Sequence, residues 1–166
     1  MNTETKKIFS NPRARVPVWH TVVPEANGMS GRYEAKLEKA GFKLRGSLAE
    51  ACLSFLPTAY PIKVVRVTPA DLGFASTATF NEIMENAATH GLSLCTHEIA
   101  IALRLAYKTQ PVGEIVRIAM EPSRNDKGQR EILTLERRRD YAIVGSWRAN
   151  PDDRYQPTYM LAFVQN

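Results

Sequence analysis

The chain has 166 residues, 44% of them apolar and 23% charged, and 22 basic against 17 acidic residues leave a net charge of +5. These proportions are those of a soluble globular protein that buries a core without metal or disulfides, and they exclude the disordered, collagen-like and coiled-coil classes. No apolar run approaches the roughly 18 residues that a membrane span requires, so no membrane association is expected.

In chain order, residues 1–15 are polar, basic and unpatterned, which predicts a flexible tail preceding a single domain over 16–166. PVWHTVV (17–23) reads as a short extended segment, and EANGMSG as a turn. Ser30 can cap a helix to about Ala40, with Tyr33, Leu37 and Ala40 on one face and Gly41 as its stop. A second helix is expected from Ser47, with Glu50 completing a capping box. Leu48, Cys52, Phe55 and Leu56 form its apolar face and Pro57 closes it.

IKVVRV (62–67) is the first clear strand, and Thr68-Pro69 followed by Asp71 predicts a capped single turn. FNEIMENAATHG carries the strongest helical signal. Thr79 and Glu82 make a capping box, Phe80, Ile83, Met84 and Ala87 a stripe, and Gly91 the end. HEIAIALRLAYK is apolar nearly all round and predicts a central buried helix. From residue 112 the period changes. EIVRIAMEP, EILTLERRR, YAIVGSW and TYMLAFV are four strand-like runs, the first two joined by the SRNDKGQ hairpin loop. The expected fold is α+β: N-terminal helices with one early strand, a central buried helix, and a C-terminal four-stranded antiparallel meander.

The basic excess is uneven. Residues 1–66 hold 11 Lys/Arg and 5 Asp/Glu, residues 67–110 hold 2 and 4, and residues 111–166 hold 9 and 8. A positive field of this kind favours phosphate backbones or acidic protein surfaces, and equally serves solubility. Cys52 and Cys95 both lie in apolar surroundings and make no disulfide framework, as a reducing cytosol allows. The opening MNTETKKIFSNPRARVPVW lacks the apolar stretch of a secretory signal, so a cytoplasmic location is expected.

Chemistry-bearing patterns are few. His97-Glu98 lacks the second histidine of a zinc motif, and Cys95, His97, His90 and His20 have no ligand spacing, so neither metal nor cofactor is expected. Nucleophile elbows and phosphate-cradling glycine loops are absent. Arg104 is the only charge within an apolar helix and needs a partner, for which Glu121 is the candidate. With Tyr107 and Gln110 these residues predict either a small polar pocket between helix and sheet or a structural ion pair. In Arg137-Arg138-Arg139, alternation sends Arg137 and Arg139 to one face. With Trp147 nearby, the meander could present an arginine and aromatic surface of the kind that binds single-stranded nucleic acid or a protein hot spot. An ordinary salt-bridged sheet face is the competing reading.

DLGF (71–74), GLSLCTHE (91–98), LRLAYKTQP (103–111) and IAMEP (118–122) together resemble a group of small bacterial proteins with no established activity. Members share D-L-G-F, an A-T-x-x-x-I helix, G-L-x-L-C, L-R-L-x-Y-x-x-Q-P and I-A-M-E-P in that order. Thr96-His97 departs from the Pro-Ala expected there. The resemblance covers about residues 62–122 and implies Arg104, Tyr107, Gln110 and Glu121 as the matching polar positions, without implying a reaction.

The expected function is therefore that of a non-catalytic binding module of a bacterial or phage cytosol. It would act on a protein or nucleic-acid partner through Arg104, Tyr107, Gln110, Glu121, Arg137, Arg139 and Trp147. The alternative is a small hydrolase or transferase with a polar pocket around Arg104, Tyr107 and Glu121.

Overall fold

In the computed structural model, which describes residues 16–25, 30–44 and 60–166, the chain is organised around a nine-stranded mixed sheet. The strands are β1 (Val18–Val22), β2 (Phe42–Leu44), β3 (Ile62–Val67), β4 (Ala78–Thr79), β5 (Leu92–Ser93), β6 (Ile115–Ile118), β7 (Ser123–Arg124), β8 (Arg130–Arg137), β9 (Ala142–Arg148), β10 (Arg154–Tyr155) and β11 (Met160–Gln165). Three helices, α1 (Ser30–Lys39), α2 (Phe80–Thr89) and α3 (His97–Ala106), complete the described elements. The main path runs β1-β3-β11-β6-β8-β9-β2, with β5 added to β11 and β7 to β8, while β4 and β10 form a separate two-stranded pair.

This overturns the expected layout of N-terminal helices and a four-stranded antiparallel meander. β6, β8 and β9 do form consecutive antiparallel pairs. The fourth run, β11, leaves them and inserts between β3 and β6, antiparallel to the first and parallel to the second. The reason is burial. Leu161, Ala162 and Phe163 are consecutive and all within 1% of complete burial, so β11 needs cover on both faces, which only a central position provides. The early part contributes β1, β2 and β3 to the sheet rather than one strand. β2 follows Gly41, whose φ of +80° turns the chain out of α1, and pairs parallel with β9.

Several local expectations hold. Thr79 and Glu82 form both halves of the capping box at α2, and Thr68 and Asp71 exchange the same pair of bonds around the Pro69 turn. The SRNDKGQ loop closes a hairpin in which Asn125 accepts from the backbone of Lys127 and Gln129. The expected tail over 1–15 and the expected helix from Ser47 lie outside the described residues.

Register sorts the side chains into two faces. Arg117, Thr134, Glu136, Gly145, Trp147 and Leu161 share one, covered by the aromatic series Phe80, Tyr155 and Tyr159. Ile118, Leu135, Val144, Ala162 and Arg66 share the other. α3 packs against β1 and β8, and α1 packs against α3 and β2.

Candidate functional site

α3 is positioned by its cap and its apolar content. Thr96 holds extended backbone and its hydroxyl accepts from Ile99 N–H, and seven of the ten helical residues are buried. Among those seven is Arg104, fully buried and turned toward the sheet end of the helix. Its guanidinium donates to Gln110 Oε1 and to the Tyr107 carbonyl, and stacks over the Phe42 ring at 4.7 Å. Gln110 in turn donates to the Leu135 carbonyl at 2.9 Å and the Glu114 carbonyl at 3.2 Å, tying the end of α3 to β8. Burial pulls the Arg104 pKa down to about 10.

Glu121 is not Arg104's partner. Its side chain is 85% exposed and lies 4.0 Å from Arg130 on the β7–β8 hairpin. The strand carrying IAMEP ends at Ile118, so Glu121 has already left the sheet where Arg104 is buried. Glu121 is thus placed apart from Arg104 and Tyr107, and Arg104 itself has no exposed surface.

Tyr107 instead belongs to a different cluster. Its hydroxyl donates to Glu114 Oε2 at 2.7 Å, and Glu114 Oε1 pairs with Arg66 at 3.0 Å. The Trp19 ring stands edge-on to Tyr107 at 4.7 Å, with His20 beside both and the Arg66 guanidinium over Trp19 at 4.9 Å. Burial first, then Arg66, holds the His20 imidazole below the usual histidine range. The Tyr107 hydroxyl is pushed up by burial and by its bond to Glu114, so the phenol stays protonated.

A separate cavity of about 290 Å³, which none of these five side chains lines, lies along the seam between β1, α1 and α3. Thr21, Val22 and Val23 form one wall and Ile101, Ala102, Leu105 and Ala106 the other. Tyr33, Glu25 and Lys36 complete the lining, where Lys36 pairs with Glu25 and the Tyr33 hydroxyl donates to the Glu25 carbonyl at 3.1 Å. Among the described residues β1 pairs only with β3 and is the outermost strand on its side. Val18 and Val23 at its two ends are exposed at 43% and 56%.

The arginine and aromatic surface expected on the meander is divided by the sheet. Trp147 lies on the face of Ile132, with its ring 4.1 Å from the Arg117 guanidinium, while Arg137 falls on the opposite face. β8 ends at Arg137, so alternation does not continue: Arg138 folds back to Glu136 at 2.6 Å and Arg139 stands exposed in the following bend. Cys95 is buried and bonded to the Ala162 carbonyl, and burial pushes its thiol up to about 12, the opposite of an activated nucleophile.

Sequence reasoning missed Trp19, His20, Arg66 and Glu114 because they come from β1, β3 and a loop far apart in the chain. It also missed Arg117, although a lone arginine inside IVRI carries the same signal that singled out Arg104. Among the described residues no three His, Cys, Asp or Glu side chains are grouped to hold a metal, and no helix is long and apolar enough to cross a membrane. Compared with known proteins, the chain matches no family model, no curated protein and no solved structure.

Proposed function

We propose that this protein is a binding module whose partner is an extended segment of another protein, seated along β1 with side chains entering the β1–α1–α3 cavity. The observation that carries this reading is the coincidence of a terminal strand and an apolar cavity on one seam. A terminal strand offers backbone groups to an added strand, and a neighbouring pocket supplies side-chain selectivity. The cavity's size fits this use. Pockets for free ligands run from about 300 to 1,000 Å³, so this one, at the lower end, has room for a single long side chain.

A protein partner is favoured over nucleic acid by where the aromatic rings stand. Base stacking needs an open ring face, whereas Trp147 and Tyr159 enclose Arg117, and Trp19 is engaged by Tyr107 and Arg66. The test is panning of a random peptide display library on the immobilised full chain. Extended sequences with alternating apolar residues should be enriched. Filling the cavity with Ala106→Trp, at an exposed position, or with Ala102→Phe should reduce enrichment about tenfold at unchanged melting temperature. Absence of enrichment, or enrichment indifferent to both substitutions, removes the proposal.

A further inference from the structure

At and just beyond the Tyr33 end of the cavity lies a charge imbalance that its apolar walls do not explain. Glu98 is fully buried, and neither of its carboxylate oxygens has a hydrogen-bond partner among the described residues. It stands on α3 three, four and seven residues before Ile101, Ala102 and Leu105, hence on the stripe that walls the cavity, one turn nearer the N-terminus. Glu25, which lines the cavity, uses Oε1 for Lys36, while its Oε2 is buried and also unpartnered. Both carboxylates act on Tyr33, whose hydroxyl is pushed up to about 12 by burial first and then by Glu98 and Glu25. Two carboxylates thus stand near Tyr33 with one ammonium paired to Glu25, and three buried oxygens await donors.

The start of α3 does not settle the account. Thr96 already caps the helix, and a dipole contribution is small beside the cost of burying an unpaired carboxylate. Buried acceptors are almost always satisfied in native proteins, which marks this end of the cavity as built for a cation. The apolar walls match the methylene stem that such a cation would carry.

We infer that the cavity receives a lysine or arginine side chain of the docked segment, its stem against Val22 and Leu105 and its charged head between Glu25 and Glu98. This rests on the peptide-docking reading above and adds the identity of the anchoring residue.

The same display experiment separates the two. Sequences enriched on the full chain should carry Lys or Arg at one fixed position at least about tenfold above the input library. Glu98→Gln, which keeps shape and removes charge, should erase that preference while apolar enrichment persists. Glu25→Gln, at a half-exposed position, should weaken it without disturbing the fold. Hexylammonium chloride, offering the same stem and head without a peptide, should elute bound phage only weakly. Enrichment without a basic residue, or a basic preference that survives Glu98→Gln, overturns the inference and leaves docking intact. No enrichment at all overturns both. Elution by hexylammonium as complete as by an enriched peptide would make the cavity a small-amine site and would likewise overturn the assignment to a docked segment.

Discussion

The two faces of the sheet each bury an arginine, and they do so by different means. On the α3 side, Arg104 is held by hydrogen bonds to Gln110 and the Tyr107 carbonyl, and Gln110 passes the connection to β8. On the other side, Arg117 lies against the Trp147 ring at 4.1 Å and the Tyr159 ring at 3.7 Å, and the Nε of both arginines is without a partner. One guanidinium is fixed through its edges by directional acceptors, the other is held against two nearly perpendicular ring π-systems. The lesson is that a buried charge does not require a counter-ion when neutral oxygens or ring quadrupoles surround it. The two solutions differ in what is left behind when the charge is removed.

Arg104→Met makes the sharpest test of that difference. It leaves Gln110 Oε1 and the Tyr107 carbonyl buried without a donor, so a loss of about 3–5 kcal/mol is expected from denaturant midpoints at constant m-value. A cost near zero would show that the hydrogen bonds are incidental. Gly145→Ala probes the opposite face. Its Cβ would come 2.7 Å from Glu136 Oε1 and 2.8 Å from Thr134 Oγ1, both on buried side chains that bond each other at 2.9 Å. About 1–3 kcal/mol should be lost, and a crystal structure should show the Glu136 carboxylate displaced. Arg117→Met should cost less than about 1 kcal/mol, because no acceptor is orphaned and the thioether keeps contact with both rings. If Arg117→Met were as damaging as Arg104→Met, the contrast between the faces would be void.

The smallest expected effect is a pH dependence on the α3 side. His20 and His97 are both held below the ordinary histidine pKa by burial, with Arg66 adding to the effect at His20 and Glu98 opposing it at His97. The unfolded chain therefore binds more protons below pH 6.5, so stability present above that value falls as pH drops through it. Thermal melts between pH 7.5 and 5.5 should show this slope, and His97→Gln should flatten it. A melting temperature that rises on acidification would contradict the assignment.

What could be read from the sequence was local. The Thr79–Glu82 box, the Thr68–Asp71 turn, the Asn125 hairpin and the apolar run of α3 each depend on residues within a few positions of one another, and all are found. Arg104 was identified as needing a partner, yet its partners proved to be Gln110 and a backbone carbonyl rather than Glu121. A search restricted to opposite charges passes over neutral acceptors. The place of β11 could not be read from alternation, because a strand buried on both faces has no polar side to reveal its register. The β1–α1–α3 seam joins residues 19–25 and 33–36 to 101–114, and such long-range juxtaposition has no signature in any of these segments alone.

The central position of β11 has a consequence in time. β3 and β6 share no ladder bonds and are joined in the sheet by residues 160–165, which are synthesised after both. Until then the first half of the sheet and the β6–β8–β9 half are separate pieces with open inner edges, the condition in which nascent chains are most exposed to wrong pairing. Closure of the sheet is thus a late, long-range event, and folding should be slow for a chain of this size. A chain interrupted just before Met160 would hold the other strands of the sheet without the one that joins its two parts.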